Sequence, residues 1–223
     1  MSDVSDRLAS LDACALSDAL DLLGLRGATS GIRPLWEGAR LSGRVVTVKV
    51  KPVGAVPAAE HLGIRAILLA EPGDVIVVDH GGRLDVSAWG GLLAVSAQMR
   101  GVEGVIIDGA CRDVDEFRAL KFPVFARGAV PFTARGRVMQ EAVNVEVQCA
   151  GVAVAPGDYV LADASGVVFI PAARAEEVLA AAERIAAREA EMASAIRRGV
   201  PPDQALGAYE GMLRKEARNH EPR

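Results

Sequence analysis

The feature that most constrains this chain is a change of rhythm part-way along it. Up to about residue 126, stretches with apolar residues at helical spacing alternate with β-branched runs. From 143 to 170 only short strand-like runs remain, split by Gly and Pro turns. The alternating part predicts a helix over 7–23, a strand over 43–50, a helix over 57–70 with Pro57 in its first turn, and a strand over 74–79 that Gly81-Gly82 breaks. It continues with a helix from Gly91 to Arg100, a buried strand at Val105–Ile107, a helix over 114–120 and a strand over 123–126. Strands follow at 143–149, 151–155, 159–162 and 167–170, then a long amphipathic helix over 172–198 and a further helix over 202–218. Helix–strand alternation followed by a strand cluster predicts a layered α/β fold with a mixed central sheet, not a doubly wound one. The long last helix has no obvious place on a compact body, which suggests that it packs across a neighbouring subunit.

Length and composition narrow the function. The 223 residues, 51% hydrophobic and 24% charged, suit one domain (1–200) with a helical tail (201–223). A net charge of -4 and only 4% aromatics argue against nucleic acid as a partner. Three cysteines without a CxxC pair fit a reducing cytosol, and no apolar run is long enough for a membrane span. The first residues carry acids and no apolar stretch, so no signal peptide is expected. The reading is a cytoplasmic protein. There is no HExxH, Cys/His cluster, P-loop, GxGxxG or GxSxG. His61 reads as a packing or surface residue, His80 as a plausible site edge, and Cys111 as a small buried residue.

What remains is the stretch WGGLLAVSAQMRGVEGVIIDGACRDVDEF. Gly90-Gly91 at a helix start lets a ligand approach backbone N–H groups that have no helical partner, a setting that favours an anion. The same pair also makes an ordinary tight turn. Asp113 and Glu116 offer hard oxygen ligands suited to Mg²⁺ or Mn²⁺, and Arg112 can grip a carboxylate through two hydrogen bonds. Asp108 is placed as a supporting acid, and Asp115 as solvated. The alternative for Asp113-x-x-Glu116 is a capping box, with Asp113 capping the helix at 114–120 and Glu116 reaching back to it.

These residues, with Ser17-Asp18-Ala19-Leu20, Pro72-Gly73-Asp74-Val75, Pro123 to Gly128, Pro156-Gly157-Asp158 and Gly166-Val167-Val168 in the same order, resemble the class II pyruvate aldolases and the related regulators of ribonuclease activity A. The resemblance implies an α-β-β-α sandwich of the swivelling β/β/α type, assembled as a homotrimer or homohexamer with active sites between subunits. It implies that the amides of Gly90, Gly91, Leu92 and Leu93 and the side chain of Arg112 hold the pyruvyl part of a small 2-oxo acid, and that Asp113 holds a divalent metal. A glutamate of the last long helix, Glu189 or else Glu191, would join from a neighbouring subunit. Familiar aldolases of this kind carry Asp where this chain has Gly91. A variant group has Gly there and an acid three residues after the metal aspartate, which Glu116 matches. The implied activity is retro-aldol cleavage of 4-hydroxy-2-oxo acids to pyruvate, of the 4-hydroxy-4-methyl-2-oxoglutarate and 4-carboxy-4-hydroxy-2-oxoadipate type, with oxaloacetate decarboxylation as a companion. A non-enzymatic ribonuclease-regulator-like protein is the alternative; retention of Arg112-Asp113 favours the enzyme. A methyltransferase is disfavoured because no glycine-rich methyl-donor motif is present.

Overall fold

Period-two burial along the strands builds the molecule. In the computed structural model, which describes residues 4–54 and 61–207, the central strand β2 (Leu41–Pro52) sends Val45 to one side and Val46 and Val48 to the other. In β3 (Val75–Ser87), Val75 and Val77 face the first side, while Ile76 and Val78 face the second. β4 (Gly104–Cys111) repeats this with Ile106 against Val105 and Ile107. Strands buried on both faces must be covered twice, and they are.

The sheet runs β1 (Arg33–Pro34), β5 (Val124–Ala129), β4, β3, β2, β9 (Tyr159–Asp163), β10 (Gly166–Ile170), with β6 (Val138–Val143) also on β2. β2–β3, β3–β4 and β4–β5 are parallel; the other pairs are antiparallel. β2 is shared: Leu41–Arg44 pair with β9, whereas Val45 onward pairs with β3 and then β6. The chain thereby makes two sheet layers from one long strand. Between them lies a core of Ile32, Val77, Ile106, Phe125, Val160 and Phe169, completed by the hairpin of β7 (Val147–Cys149) and β8 (Val152–Val154). Outside one layer pack α3 (Ile64–Leu69), α4 (Gly91–Met99) and α5 (Val114–Leu120), around Trp89, Leu93, Ala97 and Phe117. Outside the other pack α1 (Val4–Ala9), α2 (Ala13–Leu22) and α6 (Ala175–Arg197). This is the expected α-β-β-α sandwich with a mixed sheet and a long C-terminal helix.

Several sequence expectations are corrected. The helix over 7–23 is two helices, because Asp12 adopts extended backbone and its carboxylate accepts from Ala15 N at 2.9 Å, starting α2 afresh. Gly81-Gly82 does not end β3; the strand continues to Ser87 through register shifts, with both glycines at positive φ. The strand expected at 143–149 is β6, earlier in sequence, and then β7. Among the described residues, the helix expected from 57 begins only at Ile64, after Gly63 at φ 84; Pro57 lies outside them. Residues 202–207 are helical as expected, and the remainder of that helix lies outside the described residues. The first half of α6 has a place on its own chain: Val178, Leu179, Ala182 and Ile185 are buried against α2 and β10. Arg7 ties it down through Glu176 and Glu183, both at 2.6 Å. Beyond Ile185 the helix has no buried residue. No helix among the described residues is long and apolar enough to cross a membrane.

Candidate active site

The site forms where β4 hands over to α5. Ala88 N donates to Ala110 O at 2.9 Å and Arg112 N to Trp89 O at 3.0 Å, so residues 88–90 lie along the end of β4. Asp113 then takes a left-handed conformation, φ 64 and ψ 41. Asp tolerates this region better than most residues, and such conformations gather at functional sites. Its consequence is direct. Asp113 stands at the N-cap position of α5 but makes no side-chain cap there. Its carboxylate turns back to α4, where Oδ2 accepts from Gly91 N at 3.0 Å, and both oxygens accept from Arg112 Nε at 3.0 and 3.1 Å. The capping-box alternative is therefore excluded for Asp113.

Glu116, one turn into α5, places its carboxylate against Gly91. A Cβ built on Gly91 would overlap that carboxylate, and one built on Gly90 would lie 2.7 Å from Asp113 Oδ2. These glycines are needed for close approach of two acids to one dipeptide, not merely for a turn. The two carboxylates thus flank the start of α4. The N–H groups of Leu92 and Leu93 belong to the first turn of α4, whose N-cap residue Gly90 offers no side-chain cap.

Gly90 to Leu93, Arg112 and Asp113 open into a cavity of about 630 Å³, whereas Glu116 is not among the residues that line it. Leu62, Trp89, Val138 and Met139 supply apolar wall; Thr133 to Gly136 lie on the loop between β5 and β6. The buried Trp89 indole has no hydrogen-bond partner for Nε1 among the described residues, whereas Trp36 Nε1 donates to Phe122 O at 2.9 Å. A buried donor without a partner beside a cavity is an opening for a polar ligand or water.

Other expected residues fall elsewhere. Asp108 is buried, paired with Arg127, and accepts from Ala150 N at 2.8 Å, so it braces the β7–β8 hairpin. His80 is buried with Nε2 at 2.9 Å from Val86 O; burial lowers its pKa, and it does not line the cavity. His61 does line it, from the loop before α3 instead of from a helix. Asp115 is solvated and paired with Arg118 at 2.7 Å. Cys111 is buried and its thiol is pushed up to about 12, as an inert core residue requires. Glu189 is exposed on α6, in the opposite outer layer from the cavity; desolvation, then Asp18 and Asp12, raise its carboxyl pKa. Within one chain it does not reach the site. Trp89, Arg135 and Met139 were given no role by sequence reasoning, and nothing in their spacing singles them out.

Comparison with known proteins places this arrangement. The "RraA-like: Aldolase/RraA" family model matches residues 13–169. The chain belongs to the RraA-like family. Protein DlpA of Legionella pneumophila is 31% identical over 94% of this chain, which spans 34% of that protein's length. A 4-hydroxy-4-methyl-2-oxoglutarate aldolase of Thermus thermophilus is 36% identical over 60% of this chain and 77% of its own. An uncharacterised Pseudomonas syringae protein of known crystal structure has a TM-score of 0.82 at 34% identity, covering 91% of this chain and 96% of that one. The RraA-like match includes α4, β4 and α5, the elements that build the cavity.

Whether the site suits a metal depends on its donors. Among the described residues no group of three or more His, Cys, Asp or Glu side chains surrounds one point. Asp113 and Glu116 alone are a sparse oxygen set, the kind Mg²⁺ uses when water fills most of its shell. The donor chemistry fits a hard, largely hydrated divalent cation and does not fit zinc.

Proposed function

We propose that this protein is a divalent-metal-dependent lyase that cleaves 4-hydroxy-2-oxo acids of the 4-hydroxy-4-methyl-2-oxoglutarate and 4-carboxy-4-hydroxy-2-oxoadipate type to pyruvate, and that it also decarboxylates oxaloacetate. The observation that carries this reading is the left-handed Asp113, which turns its carboxylate onto the first turn of α4 beside Arg112 and Glu116. The relative named as an aldolase supports the reaction class.

Arg112 uses Nε on Asp113, and its terminal nitrogens have no hydrogen bond among the described residues. They are the groups to bind the substrate's C1 carboxylate. The N–H groups of Leu92 and Leu93 offer a preorganised partner for the same carboxylate or for the C2 oxygen. Asp113 and Glu116 are the residues to hold Mg²⁺ or Mn²⁺. When bound, the cation supplies Lewis acidity, offsetting charge on the C2 oxygen and lowering the pKa of nearby water. In the retro-aldol step the C4 hydroxyl passes its proton to a water molecule in the cavity and becomes a carbonyl as the C3–C4 bond breaks. The electron pair passes into the enolate of pyruvate, and Arg112 offsets its charge until C3 takes a proton from water. Gly91 keeps the space in which Glu116 sits. The homotrimer or homohexamer, with Glu189 of one subunit completing another's site, is part of the same proposal.

The test is pyruvate release from 4-hydroxy-4-methyl-2-oxoglutarate and from oxaloacetate, with Mg²⁺ or Mn²⁺ and with chelator. Asp113→Ala serves as the control, because free metal also decarboxylates oxaloacetate. Turnover that needs both metal and Asp113 is expected. Turnover in Asp113→Ala equal to that of the wild type overturns the reading. Absence of turnover in both proteins turns it toward the non-enzymatic binding alternative.

A further inference from the structure

We infer that Arg135 is a specificity residue that recognises a second carboxylate at the far end of the substrate. Arg112 accounts for one anionic group of the ligand. The same cavity carries another arginine, Arg135, on the loop between β5 and β6. Arg112 is held in place by Asp113, whereas the Arg135 side chain has no hydrogen bond or ion pair among the described residues. Its neighbour Arg137 is engaged, donating from Nη1 to Thr133 O at 3.1 Å. The loop is also shaped locally: Arg135 N donates to Thr133 Oγ1 at 3.3 Å, and Gly136 takes φ 73. Trp89, Leu93, Val138 and Met139 contribute apolar wall to the cavity. A cavity lined by two arginines and by apolar wall suits a short chain carrying an anion at each end. About 630 Å³ is more than a three-carbon acid needs.

This inference rests on the reading of the cavity as a 2-oxo acid site, and it adds which residue recognises the distal carboxylate of those substrates. Because Arg135 is exposed, the expected gain is modest and comes through binding, with little effect on the chemical step.

Binding and turnover are measured separately on the full chain with Mg²⁺. Calorimetry compares 2-oxoglutarate with 2-oxopentanoate, which match in carbon count and differ in the distal carboxylate; neither has the C4 hydroxyl needed for cleavage. The wild type should bind 2-oxoglutarate roughly two- to fivefold more tightly. Arg135→Gln should remove that preference, Arg135→Lys should keep part of it, and 2-oxopentanoate binding should not change. In turnover, Arg135→Gln should raise KM for 4-hydroxy-4-methyl-2-oxoglutarate while kcat stays near wild type, with 4-hydroxy-2-oxopentanoate unaffected. A preference that survives in Arg135→Gln, or one absent from the wild type, overturns the inference. A preference that depends on Arg135 in a protein without lyase turnover upholds the subsite and removes the lyase reading instead.

Discussion

At the residue scale, position 91 is the most informative. The Glu116 carboxylate occupies the space that a side chain on Gly91 would need. Gly91→Asp alone should therefore displace Glu116 and lower metal-dependent turnover about tenfold or more, the scale expected when a positioned group is disturbed. Gly91→Asp combined with Glu116→Ala should recover much of the loss. A double variant no better than the single one would show that the two acids are not alternatives for one space. The residue types at this site were legible in the sequence: Arg112, Asp113 and the paired glycines all meet there. Their arrangement was not. Asp113-x-x-Glu116 has the spacing of a capping box, and only the positive φ of Asp113 shows that the carboxylate serves α4 instead of α5.

At the element scale, α5 is held by one buried aromatic. Phe117 has no exposed surface and packs in the core beneath α3, α4 and α5. Phe117→Ala should destabilise the fold by about 3–5 kcal/mol in urea unfolding, from lost burial and the cavity left behind. Because α5 also carries Glu116, turnover should fail at lower urea than in the wild type. The start of α2 is a smaller case. Asp12→Ala removes the acceptor for Ala15 N and should cost about 1 kcal/mol. Strand positions were read well where apolar runs were continuous, as in β4. They were read poorly where glycines suggested a break that neighbouring strands override, as in β3, whose pairing with β4 resumes at Arg83 and Ser87.

At the scale of the whole molecule, pH reaches the sandwich through His80. The ring is buried between β3 and β4, with Arg83, Asp85 and Asp108 as its charged neighbours. Its pKa is lowered from 6.5, chiefly by desolvation. The folded state therefore resists protonation that the unfolded chain accepts. The stability that His80 contributes is complete above about 6.5 and is lost as pH falls below it, by at most about 1.4 kcal/mol per pH unit. Urea midpoints at pH 7.5 and 5.5 should fall more steeply with acid in the wild type than in His80→Gln. Equal slopes would exclude His80 as the cause. The same scale explains Glu189. It belongs to an outer layer opposite the cavity, so any part it plays at a site must come from another copy of the chain.

The sequence by itself determined the layered α/β class, the order of most elements and the chemical types gathered at the site, because burial period and helix-start chemistry are local properties of the chain. Tertiary structure decided that one strand, β2, serves two sheet layers, since it pairs both with the nearby β3 (Val45 with Val75) and with β9, more than a hundred residues away (Leu41 with Ala162). It also decided that Asp113 faces α4, that Asp108 belongs to Arg127, and that Arg135 shares a cavity with Arg112. Those outcomes depend on which side chains are brought within hydrogen-bonding range by packing, and no spacing along the chain encodes that.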